Sequence, residues 1–386
     1  MSFLGYLKSL VGTLTAQRDS VFSCPVSSQQ EFLSAFGEPG DNFDRAYDQY
    51  RCQIYLAGKG TAALYHLASM ILLPIYRHQL FSAKKPAAGQ LCNAVFLFSG
   101  DLNLLPESLQ VEFPSLIHVR DFQSHFYLAA EDKKILSDLR KRYPTALYFR
   151  LKCMLKLGMY RWFYETYHPK AMIVSSEYSF TSSFLTEWCE QIGVEHINVM
   201  HGEKLFDITD AFFRFHRCYI WDEGYRQLFA ALRAEPTQFC VAMPPALQPW
   251  DVTGIEKTVD YTYYLQAEDT ETLKNISEAL YTLRKRGNVV AVRPHPIYSD
   301  RTKVCKLFDG CLIEDKAQID LRTSVLRTRH AISLNSTVLY QAYINHVVVV
   351  IDDISNPAHF EKMQEMQYHM LNMPHALLSN HCNIMG

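Results

Sequence analysis

The sequence carries no long run of one charge, no CxxC pair and no glycine-rich phosphate loop, and each absence removes a class of function. Lys+Arg number 38 and Asp+Glu 40, for a formal charge of −2, with no basic stripe, which argues against a general nucleic-acid binder. The ten cysteines, at 24, 52, 92, 153, 189, 218, 240, 305, 311 and 382, fall at no spacing that suits zinc. Scattered in this way they read as reduced thiols of a cytosolic protein. The start, MSFLGYLKSLVGTL, lacks a basic n-region and a small-residue cleavage site, so no signal peptide is expected. Phe3, Leu4, Leu7, Leu10, Val11 and Leu14 share one helical face with Lys8 as its cation, and that face is expected to pack against the protein. No internal repeat and no low-complexity segment is present.

Long apolar runs are scarce as well. One stretch, GTAALYHLASMILLPIY, Gly60 to Tyr76, lies at the short edge of the roughly 17–25 residues that a spanning helix needs. His66, Ser69 and Pro74 interrupt it, so a buried helix, or one lying at an interface, is expected rather than a span.

What remains is an ordinary globular composition, 48% apolar and 20% charged, in 386 residues, enough for two domains. Residues 1–90 read as mostly helical, with a break at EPGDN (38–42) and a linker at KKPAAG (84–89). Beyond it short apolar runs alternate with helical patterns: NAVFLFSG (93–100), SLIHVRDF (115–122), the helix at 147–167, AMIVSSE (171–177), a helix at 179–193, VEHINVMHGEK (194–204), FHRCYIWDEG (215–224) and a helix at 225–233. Prolines at 242–254 break every period and mark a domain boundary near 250. A second alternation follows: DYTYYLQ (260–266), a helix at 269–287 with Thr270 as N-cap, NVVAVRPHP (288–296), HAISLNSTVLYQAYIN (330–345) and HVVVVIDD (346–353), before a Met- and His-rich tail of helical pattern. Strands alternating with helices imply parallel sheets covered on both faces. The expected organisation is a helical segment at 1–90, a Rossmann-like domain at 91–250 and a second at 251–386.

In open parallel sheets ligands sit beyond the carboxyl ends of the strands, and polar residues cluster there at four places. Arg293-Pro294-His295-Pro296 ends one strand. Chance alone supplies roughly 0.6 His-Pro pairs in a chain with fifteen His and sixteen Pro, and His168-Pro169 is a second pair, so placement carries the argument. Flanking prolines restrict His295 and aim its imidazole before a ligand arrives, where it can bind a phosphate or give a proton. Arg293 either adds charge or holds the fold. Asn335-Ser336-Thr337 opens a helix, a ready anion site but also an ordinary N-cap. His201-Gly202-Glu203-Lys204 follows a third strand, the glycine permitting close backbone approach. Asp222-Glu223-Gly224 follows a fourth, where either carboxylate could cap a helix or take a proton from a hydroxyl.

The order HGEK, WDEG, RPHP, NST over roughly residues 90–355 resembles bacterial surface-polysaccharide glycosyltransferases of the two-Rossmann GT-B type, and most of all bacterial sialyltransferases and polysialyltransferases. Those carry an acidic-acidic-Gly motif, a His-Pro motif and a Ser/Thr motif, here Asp222-Glu223-Gly224, His295-Pro296 and Ser336-Thr337. Asn335-Ser336-Thr337 departs from a clean Ser-Ser pair, and the order is also similar to glycerophosphotransferases of teichoic-acid type. The resemblance implies two Rossmann-like domains facing across a cleft, and an inverting transfer from a nucleotide sugar, CMP-sialic acid above others, to a glycan or lipid-linked glycan. It gives Asp222 or Glu223 as base, His295, Arg293, Pro296, Asn335, Ser336 and Thr337 at the donor, and His201, Gly202 and Glu203 at the acceptor or cleft. No Asp-x-Asp motif is present to hold a metal and no cofactor is implied. The expected location is cytoplasmic, with peripheral contact at the inner face of the membrane left open. Other nucleotide-sugar donors and a non-enzymatic sugar-binding protein are the competing readings.

Overall fold

The computed structural model describes residues 24–251 and 254–382. The apolar face at residues 3–14 lies outside them. The chain divides into two compact units. The first takes residues up to 102, 108–200 and 207–241; the second takes 103–107, 201–206 and 242–386.

The first unit holds a six-stranded sheet: β1 (Ala94–Leu97), β2 (Leu116–Val119), β3 (Ala171–Val174), β4 (Glu195–Val199), β5 (Arg217–Ile220) and β6 (Phe239–Val241). Every pairing is parallel and the order is β2-β1-β3-β4-β5-β6. β1 and β3 are buried at every position, which is why they read as unbroken apolar runs rather than alternating ones. Its helices include α1 (Asn42–Ser82), α2 (Asp132–Arg142), α3 (Leu147–Tyr167), α4 (Ser182–Gln191) and α5 (Glu223–Ala231). Asp41 caps α1 through the Phe43 and Asp44 N–H groups, at the break seen in the sequence. α1 kinks at Gly58 (φ 80°), a backbone that a side chain would strain. Before the kink it buries Phe43, Ala46, Gln49 and Cys52; after it the run 60–76 leaves Leu64, Leu67, Ile71 and Ile75 exposed, so this stretch is not the buried helix that was one of its two expected forms. α3 spans the expected residues and stops at His168, left-handed at φ 43°, so the His168-Pro169 pair is a helix terminus.

The second unit holds β7 (Val259–Tyr264), β8 (Val290–Arg293), β9 (Leu312–Ile313), β10 (Thr328–Ser333), β11 (Val348–Ile351) and β12 (Ala376–Leu377), again all parallel, in the order β12-β11-β10-β7-β8-β9. Its helices include α6 (Thr270–Lys285), α7 (Thr337–Ile344) and α8 (Pro357–Glu365). Asp269, not Thr270, caps α6, because its carboxylate reaches the Thr272 N–H. Leu273, Ile276, Leu280 and Leu283 line its inner face and meet Tyr263, Val292, Ile332 and Val350 from the sheet. Each such aliphatic side chain contributes about 2 kcal/mol through burial. In both units the strand order reverses once, between β1 and β3 in the first and between β7 and β10 in the second. The second unit, read from β9, has the 3-2-1-4-5-6 order of doubly wound sheets, whose crevice lies at that reversal.

The boundary expected at 250/251 falls instead after Val241. The proline-rich run is part of the second unit because it is tied there: Gln341 Nε2 donates to the Ala246 carbonyl, and the Trp250 N–H donates to Asn345 Oδ1 at 2.7 Å. No disulfide joins any of the ten cysteines.

Candidate active site

The reversal in the second unit places three strand ends side by side. β7 leads to Gln266, β8 to His295 and β10 to Ser336. Ser336 is the N-cap of α7, with extended backbone and its Oγ accepting from the Val338 N–H at 3.2 Å. The same oxygen accepts from Gln266 Nε2 at 2.8 Å. The Ser299 hydroxyl accepts from the His295 N–H at 2.9 Å and donates to the Gln266 carbonyl at 3.4 Å. A continuous hydrogen-bonded chain, His295–Ser299–Gln266–Ser336, therefore connects two residues of adjacent sequence motifs across the β7 strand end. With two donors already on its oxygen, Ser336 has its hydroxyl proton left to offer.

The His295 ring is held in one tautomer. Nδ1 accepts from the Ile297 and Tyr298 N–H groups at 3.1 and 3.2 Å, so the proton of the neutral ring sits on Nε2. The ring stacks on Tyr298 with centroids 4.5 Å apart. Desolvation lowers its pKa below the ordinary histidine value. Charging Nδ1 would break two hydrogen bonds. Of the two roles open to this histidine in the sequence, hydrogen-bond donor and acid, the geometry favours the donor.

Other motif residues are engaged elsewhere. The Arg293 guanidinium contacts Glu314 at 2.9 Å and the Ile319 carbonyl at 2.9 Å, and Arg327 binds the other oxygen of the buried Glu314. Of its two expected roles Arg293 thus takes the one that holds the fold, because a buried carboxylate demands paired charge. Asn335 Oδ1 lies 2.9 Å from Nε2 of His359 on α8, whose pKa is lowered by burial and then by Lys362. Thr337 and Pro296 are exposed.

His201, Gly202 and Glu203 were expected with the first domain, yet residues 201–206 belong to the second unit. The Phe206 N–H donates to the Met366 carbonyl at 2.7 Å and the Glu203 carboxyl meets Tyr368, which draws the segment over. Gly202 has no positive φ, and a Cβ there would meet no protein atom within 4 Å, so neither the turn nor the packing of the protein requires a glycine at this position. His201 is exposed. Burial pushes the Glu203 carboxyl up to about 8, while its contact with Tyr368 pulls the other way; Oε1 is buried without a partner. The Tyr368 hydroxyl also accepts from the Ser336 N–H at 3.1 Å, so Glu203 reaches the N-cap of α7 through one side chain.

In the first unit Asp222 caps α5 at the end of β5, its Oδ1 accepting from the Gly224 N–H at 2.8 Å. Glu223 is exposed and pairs with Arg226 at 2.6 Å. The buried Trp221 donates to the Met200 carbonyl at 3.3 Å and packs edge-on against Tyr225, tying the ends of β4 and β5 together.

Gln266, Ser299 and Tyr368 were not found from the sequence. Gln266 could have been, since it follows the strand YTYYL just as His295 follows its own strand. Tyr368 lies in a tail whose pattern gives no clue to its contact.

No protein-family model matches the chain, and no curated protein matches it. Among solved structures it is similar to the wall teichoic acid polymerase TagF (11% identity, 87% of this chain and 88% of that one, TM-score 0.45). It is also similar to UDP-N-acetylglucosamine 2-epimerase from Rickettsia bellii (11%, 68% and 79%, 0.41) and to the lipopolysaccharide outer core galactosyltransferase WaaB (9%, 68% and 80%, 0.39). The architecture itself follows from the strand orders: two Rossmann-like units in one chain, the layout of GT-B proteins.

Proposed function

We propose that the chain is a glycosyltransferase that takes a sugar from a nucleotide donor without a metal, with CMP-sialic acid as donor and a glycan or lipid-linked glycan hydroxyl as acceptor. One observation carries the reading. The hydrogen-bonded chain from His295 to Ser336 lies at the strand-order reversal of the second unit, where doubly wound sheets hold nucleotides.

In this reading the donor phosphate rests at the start of α7, against the Ser336 and Thr337 hydroxyls and the backbone N–H groups there. The Nε2–H of His295 gives a further hydrogen bond. Such donors are worth on the order of 3 kcal/mol each when they act on charge that develops in the transition state. The acceptor oxygen attacks the anomeric carbon as the carbon–oxygen bond to phosphate breaks on the opposite face, so configuration inverts. The acceptor proton passes to Asp222, the hydrogen-bonded strand-end carboxylate; Glu223 is held in its ion pair with Arg226. The nucleotide leaves with both electrons of the broken bond. A monophosphate needs less neutralisation than a diphosphate, which suits a site of neutral donors. Among the described residues no three His, Cys, Asp or Glu side chains come together as a metal-ligand set.

The test is transfer from CMP-sialic acid to glycan acceptors, beside UDP- and GDP-sugars and CDP-glycerol. His295→Ala is expected to lower turnover about a hundredfold or more. A near-normal rate removes His295 from the mechanism, and turnover of CDP-glycerol alone makes the chain a glycerophosphotransferase.

A further inference from the structure

Among the described residues, the second half of α1 has one side packed on the protein and one side exposed. Tyr65 stacks on Tyr148 of α3 at 4.6 Å, and Leu80 packs against Gly158, so the helix lies along the first unit. The opposite side presents Leu64, Leu67, Ile71 and Ile75, spaced three, four and four residues apart, with exposures of 40, 60, 66 and 46%. Met70 beside them is 56% exposed. This is a continuous apolar stripe, not scattered surface leucines.

Where the stripe ends, cations gather. A cavity of about 520 Å³ opens between α1, α2 and α3, with Leu73, Phe81 and Met154 among its apolar lining. Arg77, Lys133, Arg140 and Arg150 also line it, and none of its lining residues is acidic. Among the described residues no carboxylate pairs with any of the four. Arg150 spends one hydrogen bond on the Pro144 carbonyl, and its pKa is lowered by burial and by the neighbouring charges of Arg140 and Arg77. Four unmatched cations around an apolar hollow call for an anion that carries apolar chains.

We propose that this face docks on the surface of a membrane containing anionic lipids, with the stripe entering the headgroup region and the cations meeting lipid phosphates. By length and composition α1 could cross a membrane, but Tyr65 and Leu80 hold one side of its second half against α3, and a span would have to give up that packing. An amphipathic helix with a cationic margin lies in the interface plane instead. This inference rests on the first unit alone and stands whether or not the chain is a glycosyltransferase.

The test is sedimentation of the full chain with phosphatidylcholine vesicles, with and without phosphatidylglycerol. Binding is expected to the anionic vesicles and to weaken with salt. Each cation near an anionic leaflet strengthens partition about fivefold, so Arg77→Ala with Arg140→Ala lowers it about thirtyfold. Leu67→Ser with Ile71→Ser, at positions already exposed, abolishes it, while circular dichroism and the melting point stay at the wild-type values. Equal binding to neutral vesicles, or unchanged binding by the variants, overturns the proposal. So does resistance to extraction by high salt and alkali, which means a span. Sedimentation of the free chain as a dimer that Leu67→Ser with Ile71→Ser dissociates assigns the stripe to a second copy and overturns it equally.

Discussion

Glu203 gives the most quantitative prediction. Its carboxyl is pushed up to about 8 by burial, against an unfolded value of about 4.3. Between those two values the folded protein keeps a proton that the unfolded chain has released. The raised pKa therefore contributes stability that is fully present below the unfolded value and is lost as pH climbs through the folded one. At 1.36 kcal/mol per pH unit the ceiling of the loss is roughly 5 kcal/mol. Glu203 retains part of its surface in water, which brings the expected loss to about 2 kcal/mol. Glu203→Gln keeps the shape and is neutral throughout. It should match the wild type at about pH 5 and exceed it by about 2 kcal/mol at about pH 8.5. Native-state hydrogen exchange on the amides of β7 and β10 reads the second unit by itself. Identical pH profiles for the two proteins would refute the reasoning, because they would mean that Glu203 is ionised in the folded state at neutral pH.

Two further expectations concern the strand-end residues. Asp222→Asn should lower transfer at least a hundredfold with little change in donor affinity, whereas Glu223→Gln, which loses only an exposed ion pair, should stay within a fewfold of the wild type; initial rates separate them, and the reverse order would move the base to Glu223. Arg293→Met should destabilise the second unit by about 3 kcal/mol, because it strips one of two guanidinium partners from the buried Glu314; urea unfolding checks this, and a stable variant that has lost only nucleotide affinity would return Arg293 to the donor site.

The alternation of strands and helices was legible because parallel strands are buried on both faces: AMIV and VVVI stand out as runs. β6, β9 and β12 were missed. They are edge or near-terminal strands of two or three residues, and Leu312 of β9 is half exposed, so neither length nor period marks them. The proline run at 242–254 was seen, but prolines announce the end of an element and not the core on which the following loop packs; that was decided by Gln341 and Asn345, about a hundred residues on. In the site, His295 and Ser336 could be nominated from strand-end placement. Their connection through Ser299 and Gln266 could not, because it depends on β7 lying between β8 and β10. Arg293 left two roles open for the same reason, since Glu314, which fixes its role, sits on a neighbouring strand end 21 residues away.

The central claim is that a donor nucleotide's phosphate binds at the start of α7, and thermal stabilisation by free nucleotides tests it most directly. CMP at about a hundredfold its Kd should stabilise the protein by about 2.7 kcal/mol through mass action, with CDP, UDP and GDP weaker at equal concentration. Ser336→Ala should lower the starting stability by about 1 kcal/mol through loss of the cap and should abolish most of the CMP effect. A CMP effect that survives intact in both Ser336→Ala and His295→Ala, or the absence of any effect from all four nucleotides on the wild-type protein, would contradict the account.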